Sequence, residues 1–160
     1  MAVLPFSMQG QLKSNWCWAA VAASVSAYYH PGAAWAQCDV ANSNLGRSDC
    51  CGTPPGDPCN VTSVLDVPLG IVGCFDRMVG TATSQVEIIT EVGAGRPLCI
   101  RVQWSDGGGH FLSAIGYVDD ADSVDIVDDP IYGRTFLLHS VLRTAYQGSG
   151  TWTHTYYTRD

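Results

Sequence analysis

Gln11-Leu12-Lys13-Ser14-Asn15-Trp16-Cys17-Trp18-Ala19-Ala20, continuing through Val21 to Tyr29, is the stretch on which the fold turns. From Trp16 onward it is rich in Ala and carries no charge. This predicts a buried helix, capped by Ser14 or Asn15 and stopped at His30-Pro31-Gly32. His30 is then expected at the helix C-terminus, where it meets the negative end of the dipole. Cys17 falls in the first turn. Free amide groups and the positive end of the dipole favour a thiolate there, help that a thiol in mid-helix would not receive.

Residues 1–12 before this helix read as an extended arm. After it, residues 37–60 are rich in Cys, Gly and Pro and read as a loop-rich excursion with about one helical turn. A short helix is expected from Asn60 to about Leu69. Ser84 and Glu87 have capping-box spacing, with Val86, Ile89 and Val92 on one helical face and Gly93 and Gly95 before Pro97. The period then changes to two. Leu98–Trp104, His110–Val118, Val124–Asp128 and Thr151–Tyr157 read as strands. Residues 131–147 are expected to hold a strand followed by a helical turn. Helices first and an antiparallel sheet second make an α+β arrangement.

At 160 residues the chain fits one domain, residues 1–160, with the Cys-rich segment at about 37–60 as a loop insertion. A hydrophobic fraction of 46% against 14% charged residues suits a folded core. The net charge is -7 and the basic residues are scattered, so there is no stripe to neutralise nucleic-acid phosphates or to hold an anionic membrane. No apolar run approaches the roughly 20 residues that span a bilayer, and Met1-Ala2-Val3-Leu4-Pro5 does not read as a signal peptide.

A Cys17 thiolate needs a basic partner, and His is the usual one. His110 follows Asp106-Gly107-Gly108-Gly109 and opens an apolar strand. A side chain at a strand start approached through glycines can face a cleft, which makes Gly109 a substrate-binding candidate. The strand one hairpin further on ends in Asp128-Asp129-Pro130 and can bring a carboxylate to the outer ring nitrogen. Asp129 is the first choice and Asp128 the alternative, since neighbours on a strand face opposite ways. Both also suit a turn before Pro. Gln11, six residues before Cys17, can fold back and donate to an oxyanion beside the Cys17 amide. Trp16 and Trp18 flank the nucleophile, as core or as cleft wall, and are further substrate-binding candidates. His139 and His154 read as surface or packing residues.

The stretch Gln11 to Ala20 resembles the nucleophile motif of papain-like cysteine peptidases in its Gln-to-Cys spacing and its Cys-Trp-Ala continuation. Its Asn-Trp-Cys-Trp-Ala-Ala core is closer to a compact bacterial branch that includes plant-pathogen effector proteases. Gly109-His110-Phe111, then Asp129-Pro130 and Gly133, resemble that branch's His and Asp motifs. The resemblance implies a papain-like fold and a cysteine endopeptidase acting on peptides or proteins. Gln11 maps to the oxyanion residue, Cys17 to the nucleophile, His110 to the base and Asp129 to the orienter. It implies no cofactor and no metal, and a monomer is expected. Papain itself uses Asn as orienter and has a longer chain. Two rivals stand beside hydrolysis: acyl transfer of the transglutaminase, amidase or peptide-ligase type, and a non-catalytic binding module on the same fold.

Seven cysteines are an odd number, so complete pairing leaves one thiol free. Cys38, Cys50, Cys51 and Cys59 cluster within 22 residues. Disulfides would pin such an excursion in an oxidising compartment, and a four-thiolate zinc site would do so in a reducing one. Adjacent cysteines without Cys-x-x-Cys spacing favour disulfides, with each of Cys50 and Cys51 reaching Cys38 or Cys59. A secreted location follows from that reading. Cys74 and Cys99 are buried thiols or a third bridge. Asn60-Val61-Thr62 matches a glycosylation sequon.

Overall fold

A computed structural model describes residues 1–119 and 122–160. Helix α1 spans Cys17–Tyr29, preceded by a two-residue strand β1, Ala2–Val3. Cys17 through Ser26 are all buried, because alanines let the neighbouring elements close around every face of the helix. The expected side-chain cap is not used. Trp16 is the N-cap and makes no side-chain cap bond, while Asn60 holds Ser14 and Asn15. At the other end, the His30 amide donates to the Ser26 carbonyl.

The Cys-rich segment holds more helix than its composition predicts. Helix α2 runs Gln37–Leu45, with Val40 and Ala41 buried, and ends at Gly46 in the left-handed region (φ 64°). The short helix expected from residue 60 begins later, as α3, Asp66–Ile71. Strand β2, Phe75–Val79, was not anticipated. Helix α4, Gln85–Gly93, is capped as its sequence predicts: the Ser84 side chain accepts the Glu87 amide at 3.3 Å. Its buried face differs from the expected one. Ile88, Glu91 and Val92 point inward and Val86 is exposed, because Glu91 is carried into the interior by a two-pronged pair with Arg96 at 2.6 and 2.9 Å.

The remaining elements are β3 (Leu98–Gln103), β4 (Gly109–Val118), β5 (Val124–Asp129), β6 (Gly133–Leu138), α5 (His139–Thr144) and β7 (Thr151–Thr158). They form one antiparallel sheet in the order β2-β7-β3-β4-β5-β6, with β1 paired to β4. Helices α1 and α4 lie against β4. This is the expected α+β arrangement, with α1 packed on the sheet. Two registers position the site. Val102 stands opposite His110 across β3 and β4, and Asp129 closes the β5–β6 hairpin opposite Gly133.

Disulfides join Cys38 to Cys51 and Cys50 to Cys59. They resolve the choice between bridges and zinc, since the groups with metal-like spacing contain these bonded sulfurs. Cys17, Cys74 and Cys99 are free and buried. Among the described residues no helix is long and apolar enough to cross a membrane.

Candidate active site

The loop before α1 is gripped from one side by the disulfide-pinned segment. The Trp16 indole donates to the Cys59 carbonyl at 2.7 Å and the Trp18 indole to the Val61 carbonyl at 2.9 Å. Asn60 accepts the Asn15 amide at 2.9 Å and donates to the Ser14 hydroxyl at 2.8 Å, while the Asn15 side chain donates to the Asn60 carbonyl at 3.0 Å. Lys13 pairs with Asp57 at 2.7 Å. The Cys50–Cys59 bridge anchors the middle of this grip, so the direction in which α1 presents Cys17 depends on residues more than 40 positions away. A glycan on Asn60 would have to break the side-chain bonds it makes here.

His110, at the start of β4, is buried and lines the same cleft as Cys17. Its Nε2 meets Asp129 Oδ1 at 2.9 Å and Oδ2 at 3.0 Å. Nδ1 is therefore the ring nitrogen left to serve the thiol. Trp104 stacks on the imidazole (centroids 5.8 Å, 24° between planes), and Tyr132 meets it edge-on. Burial alone would lower the His110 pKa. Hydrogen bonds to Asp129 and Cys17, with their charges, outweigh it and raise the value to about 9.

Asp129 is buried yet well solvated by the protein. It accepts the Ile131 and Tyr132 amides at 2.7 and 3.0 Å and the Tyr146 hydroxyl at 2.7 Å, besides the imidazole. Burial raises its pKa, but His110 and these donors stabilise the charged form more, and the net shift is downward. Asp128 is engaged elsewhere, with Arg134 at 2.9 Å and the Met8 amide at 3.3 Å.

Gln11 lies in the segment that leads into α1, its backbone amide donating to the Pro130 carbonyl at 3.1 Å. Its side-chain Nε2 donates to the Lys13 and Ser14 carbonyls at 3.1 and 2.7 Å, and its Oε1 is buried without a partner. A cleft of about 850 Å³ opens over Cys17 and His110. Trp18, Val64, Trp104 and Ile131 give it apolar walls, and Asp66, Arg101 and Gln103 give it polar ones. Gly109 lines it too. Trp16 does not: it is 1% exposed and belongs to the core beneath the Cys59 loop. Among the other histidines, His139 is a packing residue, set edge-on to Trp152 and paired with buried Asp125 at 2.7 Å, and His154 lines the cleft.

Sequence reasoning missed Trp104, Tyr146 and Asn60. Trp104 alone left a signal, as an aromatic at the end of a strand directly before the glycine loop.

The family model described as the Peptidase_C39 like family matches residues 3–158. A solved structure, described as a double glycine motif protease from an AMS/PCAT transporter in complex with the leader peptide, is similar with a TM-score of 0.56. The two are 17% identical over 99% of this chain and 95% of that one, a likeness of fold. No curated protein sequence matches the chain. The family model, matched over nearly the whole chain, places it in the Peptidase_C39 like family of papain-like cysteine peptidases.

Proposed function

We propose that the chain is an endopeptidase that hydrolyses peptide bonds through Cys17, His110 and Asp129. One observation carries this reading: His110 lines the same cleft as Cys17 and has its Nε2 held by the Asp129 carboxylate at 2.9 Å. The Cys17 thiolate attacks the peptide carbonyl. The helix-start amide of Cys17 and the Gln11 side chain stabilise the oxyanion, for which the Gln11 amide turns from its loop carbonyls toward the cleft. His110 passes its proton to the leaving amine, and water then opens the thioester. Asp129 fixes the ring orientation throughout.

A peptide or protein substrate suits the open cleft, and the similar protease described with a leader peptide supports the same class. Two disulfides support an oxidising, extracellular setting. Asn15-Trp16-Cys17-Trp18-Ala19-Ala20 supports kinship with effector-type proteases within this fold.

The test is iodoacetamide labelling of native protein near pH 6, read by mass spectrometry, followed by digestion of an unfolded protein with and without added amines. Burial pushes Cys74 and Cys99 up to about 11 and about 12, so both stay protonated and slow. Rapid labelling of Cys17 alone, slowed in His110→Ala, with hydrolytic products is the expected result. A sluggish Cys17 would sink the catalytic reading, and products carrying the added amine would reassign the reaction to acyl transfer.

A further inference from the structure

The cleft holds a cation that catalysis does not use. Arg101 projects from β3, and among the described residues it makes no ion pair, unlike Arg47, Arg77, Arg96 and Arg134; Arg143 and Arg159 also make none, but they are exposed and lie outside the cleft. Arg101 is half-buried, and its Nη1 donates to the Thr153 hydroxyl at 2.8 Å. The rest of the guanidinium lies flat against Gly109. A Cβ on that glycine would sit 2.8–2.9 Å from Nη2, Cζ and Nε. Gly109 precedes His110, so the group is docked one residue from the imidazole and faces the same cleft.

A fixed, partly desolvated guanidinium with free in-plane donors is built to receive a carboxylate, with two parallel hydrogen bonds. The Asp66 carboxylate also lines the cleft, without pairing to Arg101, and limits how much negative charge the region accepts. We propose that Arg101 forms a carboxylate subsite beside the scissile bond, so that preferred substrates carry a carboxylate within a few residues of the cut. That carboxylate is either an acidic side chain or the free C-terminus of a short trailing segment. The proposal rests on the peptidase reading for its link to turnover, but not for binding.

Its test uses matched synthetic peptides that differ only in Glu against Gln near the cut, or in a free acid against an amide C-terminus. Cut sites are first found by digesting a mixed peptide library and sequencing the products. Wild-type kcat/KM should favour the carboxylate member of one series by about 10-fold or more, and which series responds identifies the source. Arg101→Gln should erase the preference, read as the ratio of the two peptides' kcat/KM within the variant. Arg101→Lys should keep part of it, and Asp66→Asn should widen it. Equal rates in the wild type, or a preference that survives Arg101→Gln, overturns the subsite.

The same peptide pairs are titrated by fluorescence polarisation against Cys17→Ala protein, with and without Arg101→Gln. Carboxylate-dependent binding without any turnover by the wild type would overturn the peptidase reading and leave the subsite standing. Equal affinities across the pairs would overturn the subsite whatever the turnover. Thermal melts identify any variant that fails to fold, and the Arg101→Lys series then decides.

Discussion

The Tyr146 hydroxyl donates a 2.7 Å hydrogen bond to Asp129 Oδ2, on the carboxylate that holds His110 Nε2. Tyr146 is completely buried, and Trp104 stacks against both it and the imidazole. His110 first, then the backbone amides and this hydroxyl, thus keep Asp129 charged where burial would neutralise it. Tyr146→Phe removes one donor and leaves the ring packing intact. Loss of a hydrogen bond to a charged group costs about 1.5–3 kcal/mol in stability. The Asp129 pKa should rise, moving the acid limb of kcat/KM to higher pH. An unchanged melting temperature together with an unchanged acid limb would show that the hydroxyl does not support the carboxylate.

The grip of Asn60 on Ser14 and Asn15 ties catalysis to the Cys50–Cys59 bridge. Each bridge closes a short loop and contributes about 2–3 kcal/mol by restricting the unfolded chain. Opening Cys50–Cys59 frees the Cys59 carbonyl and Asn60, the groups that fix Trp16 and Asn15. Asn60→Ala and a Cys50→Ser/Cys59→Ser double variant should lower kcat about 10-fold through misplacement of Cys17, with KM changed less. A mild thiol reductant should keep Cys17 active, and a strong one that opens the bridges should inactivate. Full activity of the double variant would show that the nucleophile loop needs no such support.

Stability against pH carries the signature of the buried pair. His110 is raised from 6.5 to about 9 because its bonds to Asp129 and Cys17 outweigh burial. Its contribution is fully present below about pH 6.5 and is lost as pH rises through about 9. Asp129 is lowered, so its contribution is present above about pH 4 and is lost as pH falls through its folded value. Cys74 and Cys99, raised by burial, add a further alkaline loss that begins near their unfolded value. Melting temperature should peak between about pH 5 and 7. In His110→Ala the decline between pH 7 and 9 should shrink while the thiol-linked loss above it persists. An identical profile in the variant would show that His110 is not held protonated by the fold.

What the chain reveals by itself is whatever its local pattern encodes. The Ala-rich run after Cys17, the Ser84 cap and the apolar runs of β3 and β4 all follow from neighbours in sequence. Strand β2 does not, since Phe75-Asp76-Arg77-Met78-Val79 has three exposed residues in a row at the sheet edge and no alternation. The inward face of α4 was misjudged because Glu91 is buried by its partner Arg96, a pairing that hydrophobicity does not record. Within the site, Cys17, His110 and Asp129 come from ordered motifs. Asn60 and Tyr146 act through contacts formed only once distant segments meet, and no spacing announces them.

Gly116 marks where strand β1 is stitched to the sheet. Val3 pairs with Gly116 across β1 and β4, next to the irregularity between Ala114 and Gly116 on the β5 side. A Cβ built on Gly116 would lie 2.5 Å from the Ala2 carbonyl oxygen, 3.0 Å from Val3 Cα and 3.1 Å from the Ile126 side chain. The first two are backbone atoms and cannot turn away, so Gly116→Ala must push β1 off the sheet. Beyond β1 the arm leads through Leu4, whose amide bonds to Ile115, to Gln11 and the nucleophile loop. Overpacking of this kind costs about 1–3 kcal/mol. Gly116→Ala should therefore lower the denaturant midpoint and speed amide exchange in residues 2–6, with a smaller loss of activity transmitted through Gln11. If a variant lacking residues 1–3 were destabilised no further by Gly116→Ala, the cost would be assigned to displacement of β1. An equal cost in both backgrounds would assign it to Ile126 and the interior of the sheet instead.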